Sequence, residues 1–135
     1  MSIAVLLVED VQQLRGVVAD LLATLGDFTV AAQISTEAEA NLWLEENRGA
    51  WQLAVVDLIL QQGTGMGVIA RCRNRPAGSK VVVFSDYATP GIEAHCLRLG
   101  ADAVFHKSEG LSALGAFCSA LLPAAPTGPP TGPPR

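Results

Sequence analysis

With 135 residues, half of them hydrophobic and 16% charged, the chain has enough apolar material for one layered core and does not belong to a disordered class. A net charge of −4 argues against nucleic acid as a partner, because phosphate contacts need clustered Lys and Arg. No apolar stretch approaches the roughly 20 residues that cross a bilayer, and no cationic segment followed by an apolar run opens the chain, so neither a membrane span nor a signal peptide is expected.

The first element is Ile3 to Val8, a continuous apolar run of the kind that forms a strand buried on both faces. A helix follows. Leu14, Val17, Val18, Leu21, Leu22 and Leu25 recur at helical spacing, and Gly26 stops it. Phe28 to Ile34 is a second, β-rich run. Ser35 or Thr36 caps a helix running to about Asn47, with Glu37 and Glu39 near its positive end. Leu53 to Asp57 is a third strand that ends on an acid. A glycine-rich turn leads to a short helix around Val68 to Arg73. Lys80 to Ser85 is the fourth strand, and a helix from about Pro90 to Leu99 ends at Gly100. Ala103 to Lys107 is the fifth strand. Leu111, Leu114, Phe117, Cys118, Leu121 and Leu122 line a last helix.

The folded body is therefore expected over residues 1–122, with 123–135 as a Pro/Gly/Thr-rich flexible tail. From Pro123 the chain reads PAAPTGPPTGPPR, which neither helix nor sheet can traverse. Its period of four excludes collagen. A semi-rigid solvated tail is expected, with a proline-motif ligand as the alternative. Cys72, Cys96 and Cys118 are odd in number and far apart, which fits neither a disulfide framework nor a metal site. They are expected to be buried thiols in a reducing cytoplasm. Trp43 and Trp51 are expected to pack, and His95 and His106 to be surface or packing residues.

Five β–α units in succession imply an α/β fold, a five-stranded parallel sheet, doubly wound, with helices on both faces. Such sheets bind ligands beyond the carboxyl ends of their strands, where strand order reverses. At those ends stand Glu9 and Asp10, Asp57, Ser85 and Lys107. Each alone has an ordinary reading: Asp10 can cap the first helix, Ser85 the next turn, and Lys107 can be a loop cation. Together they suit phosphoryl chemistry. Crowded carboxylates favour a hard divalent cation such as Mg²⁺. An aspartate can attack phosphorus and form an acyl phosphate. A lysine and a hydroxyl then meet the equatorial oxygens.

The pattern VED, VVDL with Gly65 eight residues after the acid, VVVFS and GADAVFHK resembles the receiver domains of bacterial two-component response regulators, over about residues 2–122. The stretch from Ser85 to Ser108 looks most like single-domain members. The resemblance implies the flavodoxin-like strand order 2-1-3-4-5. It makes Asp57 the phosphoacceptor, served by a histidine kinase or phosphotransfer protein. Glu9, Asp10, Asp57 and the backbone carbonyl of Ile59 would hold Mg²⁺ or Mn²⁺, and Ser85 and Lys107 would read phosphorylation. It further implies a cytoplasmic, stand-alone phosphorelay module that is not an enzyme beyond Mg-dependent self-phosphorylation and slow self-dephosphorylation. Its output would go to a downstream protein through the fourth helix, fifth strand and fifth helix. A homodimer is compatible with this reading.

Five positions depart from the family's common form. Glu9 replaces a frequent aspartate and should still serve the metal. Gln61 replaces a proline, which should loosen the loop after Asp57. Ser108 replaces a cis proline, so a trans bond is expected. Val104 replaces the aromatic that usually reports the switch, and Phe105 should face the other side of the sheet. Asp86 is expected to be a turn residue. Three other readings compete. Gly63 to Gly67 invites a dinucleotide site, although its third glycine is one residue early for that motif. A flavin-binding flavodoxin-like domain would want a hydroxyl-rich loop where Glu9 and Asp10 stand. A degenerate receiver would bind partners without phosphorylation.

Overall fold

A computed structural model describes residues 2–123. Of the expected tail, residues 123–135, all but Pro123 lie outside the described residues. Ten main elements alternate. They are β1 (Ile3–Val8), α1 (Gln12–Leu25), β2 (Phe28–Ile34), α2 (Glu37–Glu46), β3 (Leu53–Val56), α3 (Gly65–Arg71), β4 (Lys80–Ser85), α4 (Pro90–Leu99), β5 (Ala103–His106) and α5 (Ser112–Ser119). The strands form one parallel sheet in the order β2-β1-β3-β4-β5, as expected.

The apolar strand runs are explained by two cores, one on each face of the sheet. Leu6 and Val8, Ala54 and Val56, and Val81 and Val83 point to one side, where Ala40 and Leu44 of α2, Val68 and Ile69 of α3 and Cys96 of α4 cover them. The alternate residues Val5, Leu7, Leu53, Val55, Val82 and Phe84 meet Val18 and Leu22 of α1 and Leu114 and Cys118 of α5. Burying each such side chain is worth about 1.5–3 kcal/mol. A central strand with no exposed face therefore has no place for polar residues until it ends.

Helix starts follow the caps. Thr36, Thr64 and Thr89 accept the N–H groups of Glu39, Gly67 and Ile92. Thr64 is why α3 begins at Gly65, three residues before the position that apolar spacing suggests. The last helix is shorter than its apolar stripe implies. α5 ends at Ser119, and Leu122 instead packs over Gly26, where a Cβ would strike its side chain.

The cysteines are free and buried, and burial pushes the Cys72 and Cys118 thiols up to about 11. Trp51 is buried and Trp43 packs partly against the core, as expected. No described helix is long and apolar enough to cross a membrane.

Candidate functional site

The chain runs outward from β1 to β2 and returns to β3, so strand order reverses between β1 and β3. Val8 pairs with Val56, and the Asp57 N–H donates to the Val8 carbonyl at 2.9 Å. This register sets Glu9 and Asp10 beside Asp57. Carboxylate oxygens of the three lie within 4.8 Å of one another. Glu9 is 3% exposed and Asp57 6%, whereas Asp10 is only partly buried.

Lys107 follows the end of β5 and opens a 3-10 turn, Lys107–Glu109. Its Nζ lies 2.9 Å from Asp57 Oδ2 and 3.0 Å from Glu9 Oε1. Three carboxylates thus gather around one ammonium that pairs with two of them, an excess of two negative charges at full ionisation. The consequence appears in protonation. Burial, and to a lesser extent the Asp57 charge, raise the Glu9 carboxyl from 4.5 to about 7. Burial works against the Lys107 ammonium, but its hydrogen bonds to Asp57 and Glu9 outweigh that and hold its pKa above the ordinary value. A buried, overcharged set of oxygen donors fits a hard divalent cation.

Glu9 has a second task. Its Oε2 accepts the Val11 N–H, so it is Glu9, and not Asp10, that accepts at the start of α1. The Val11 N-cap itself makes no side-chain capping bond. Asp57 Oδ1 accepts the Leu58 N–H at 2.7 Å. The Leu58 carbonyl takes the Gly65 N–H, and Ile59 bridges to Thr64. Gly65 is needed here, since a Cβ would collide with the Asp57 carbonyl oxygen. Ser85 is fully buried at the end of β4, and its Oγ accepts the Tyr87 N–H at 3.1 Å across the turn that includes Asp86. Accepting leaves the hydroxyl proton free to donate.

Two features escaped the sequence. Arg15 of α1 donates from Nη1 to the Glu9 carbonyl at 2.8 Å, which anchors the β1–α1 loop. A side chain bonded to a backbone carbonyl leaves little trace in a residue pattern. Glu37 accepts the Thr64 N–H and lies against Gly63 and Gly67. A carboxylate stands where a phosphate cradle would need its anion, which disfavours the dinucleotide reading.

The departures also resolve. The Gln61 N–H donates to the Ser35 carbonyl at 3.1 Å, a bond proline lacks, so the loop is tied to the end of β2 at this point. Among the described residues there is no cis peptide bond, and the Ser108 N–H donates to His106 Nδ1. Phe105 faces the α5 side and meets Phe117 edge-on, 5.9 Å between centroids. Val104 lies on the α4 side. His106 also faces that side, away from the acids, and His95 is exposed.

A family model described as "Response regulator receiver domain" matches residues 5–117. Compared with curated proteins, the chain finds no match. Among solved structures it is similar to a LuxR-family DNA-binding response regulator from Staphylococcus aureus, with TM-score 0.76 and 22% identity over 88% of this chain and 98% of the other. It is also similar to a response regulator from Burkholderia pseudomallei with a phosphorylated aspartic acid, calcium ion and citrate, with TM-score 0.73 and 23% identity over 85% and 65% of the two chains. A third is the Mn²⁺-bound form of response regulator Rcp1, with TM-score 0.71 and 23% identity over 87% and 90%. At these identities the structures speak for the fold.

Proposed function

The chain belongs to the response regulator receiver domain family, and on that premise we propose that Asp57 accepts a phosphoryl group from the phosphohistidine of a histidine kinase or phosphotransfer protein. The observation that carries this reading is the cluster of Glu9, Asp10 and Asp57 at the strand-order reversal, with Lys107 bridging two of them. Glu9, Asp10, Asp57 and the Ile59 carbonyl would hold Mg²⁺ or Mn²⁺. When bound, the cation supplies neutralisation of the carboxylates and of the incoming phosphoryl oxygens.

An Asp57 carboxylate oxygen attacks phosphorus. The P–O bond forms as the P–N bond breaks, and its electron pair stays on the donor imidazole. Lys107 turns from the carboxylates to a phosphoryl oxygen, and Ser85 donates its hydroxyl proton to another. Water later attacks phosphorus, restoring the carboxylate and releasing phosphate. The phosphorylated domain then switches protein contacts through α4, β5 and α5. The solved relative with a phosphorylated aspartic acid supports this reading by analogy of fold. A degenerate receiver would have no use for an assembled acid set, which disfavours that alternative.

The test is incubation with Mg²⁺ and acetyl phosphate or beryllofluoride, read by mass or NMR shifts. An adduct is expected in the parent and absent in Asp57→Asn. No adduct at high donor concentration would overturn the reading.

A further inference from the structure

The opposite edge of the sheet, where β3 and β4 begin, carries a separate pocket of about 400 Å³. It lies between the last turns of α2 and α3 and the segments that lead into those strands. We propose that it binds a small organic anion, a phosphate or carboxylate carried on an apolar body. The proposal does not depend on the phosphoacceptor reading, because Glu9, Asp10, Asp57, Ser85 and Lys107 all stand elsewhere.

Size admits such a ligand. Small-molecule sites occupy about 300–1,000 Å³, and this pocket falls within that range. The lining has two parts. Leu44, Trp51 and Cys72 are buried core residues that form an apolar floor. Arg48, just past the end of α2, and Arg71, in the last turn of α3, stand exposed at the rim.

Charge selects the sign. The lining holds three arginines, Arg48, Arg71 and Arg75, against one acid, Glu45. Arg75 is engaged within the fold: its guanidinium donates to the Ser79, Cys72 and Gly100 carbonyls and pairs with Asp102 at 2.7 Å. Arg71 meets Glu45 only at 4.0 Å, with both side chains more than half exposed, so that pair is weak. Arg48 has no ion-pair or hydrogen-bond partner among the described residues. The carbonyls that end α2 and α3 carry about half a negative charge each. Arg48 and Arg71 offset that field, and a planar guanidinium can grip two oxygens of a carboxylate or phosphate at once.

Trp51 points to a ligand independently. It is 3% exposed, so its indole is held inside the fold. Its Nε1–H has no acceptor among the described residues, yet it is not one of the unpaired side-chain atoms sealed from solvent, which are Arg15 Nε and Asn41 Oδ1. The N–H therefore opens into the space that Trp51 lines, which is this pocket. Buried indoles usually find a partner for this group. An acceptor oxygen on a ligand held by Arg48 and Arg71 would supply it.

The experiment titrates 1-naphthyl phosphate and, separately, 1-naphthoate into ¹⁵N-labelled full chain and follows the two indole N–H peaks. Trp43→Phe, at a partly buried position, assigns them. A saturable shift of the Trp51 indole peak is expected with at least one probe, and the tighter of the two names the anion. The Trp43 peak should stay in place, since that residue does not line the pocket. Neutral 1-naphthol should bind about tenfold more weakly or worse, as loss of a charge-assisted hydrogen bond implies. Arg48→Gln and Arg71→Gln, both exposed and so harmless to folding, should each weaken binding about two- to fivefold. No shift at the Trp51 indole with either anion, equal binding of 1-naphthol, or undiminished binding in the double variant would overturn the proposal. Inorganic phosphate binding as tightly as 1-naphthyl phosphate would overturn the apolar half of the site.

Discussion

The acid well and the open surface beside β5, where Glu93 and Glu109 stand, are joined through the segments that carry Ser85 and Lys107, yet they hold charge in different ways. In the well, buried carboxylates have an internal cation, Lys107, held by two short ion pairs. At that surface Glu93 and Glu109 are exposed, and among the described residues neither has an ion-pair partner. Burial explains the difference. A charge taken out of water must be paired within the chain, whereas one left in water can wait for a partner. The well is thus self-contained, and the surface carboxylates rely on water.

The sharpest break of this comparison is Asp57→Asn, which should abolish the beryllofluoride adduct while leaving the fold intact. NMR titration reads both. Next is Lys107→Met, which leaves Glu9 and Asp57 facing each other without their cation. Removing one partner of a buried pair costs about 3 kcal/mol. Urea unfolding should show that loss in metal-free protein, and saturating Mg²⁺ should recover more stability in the variant than in the parent. Gly65→Ala forces a Cβ against the Asp57 carbonyl and should cost about 2 kcal/mol by the same measurement, as overpacking does.

A smaller effect follows from Glu9. Its folded pKa of about 7 exceeds the ordinary 4.5, so the folded state binds this proton more tightly than the unfolded state. Stability from this group is complete below about pH 4.5 and declines as pH rises towards 7. The melting temperature of metal-free protein should show that decline, and Glu9→Gln or saturating Mg²⁺ should flatten it. The smallest change in the well is expected from Val104→Phe. Adduct formation should stay as in the parent.

The sheet was largely legible because strands buried on both faces demand unbroken apolar runs, as in Ile3 to Val8 and Lys80 to Ser85. The gathering of Glu9, Asp10, Asp57 and Lys107 was legible because such runs must end, and polar residues find room only there, whereas Ser85 is seen only holding its own turn. The start of α3 was hidden by Gly65 and Gly67, poor helix formers kept there by the crowding of Asp57 and Glu37. Leu121 and Leu122 continued an apolar period past the end of α5, because that period records burial and not backbone hydrogen bonding. The firmness of the loop after Asp57 rests on the Gln61 N–H, a backbone group that every residue except proline carries, so its identity gave no warning.

The double ion pair of Lys107 has a further consequence. Many metal sites are unformed until the ion arrives, and there ion binding and folding are one event. Here the lysine already draws Glu9 and Asp57 together across two strand ends. A newly made chain can therefore reach its final shape before it meets a divalent ion. On the phosphoacceptor reading proposed above, ion supply would then govern when the domain becomes ready to be charged, separately from whether it exists as a folded protein.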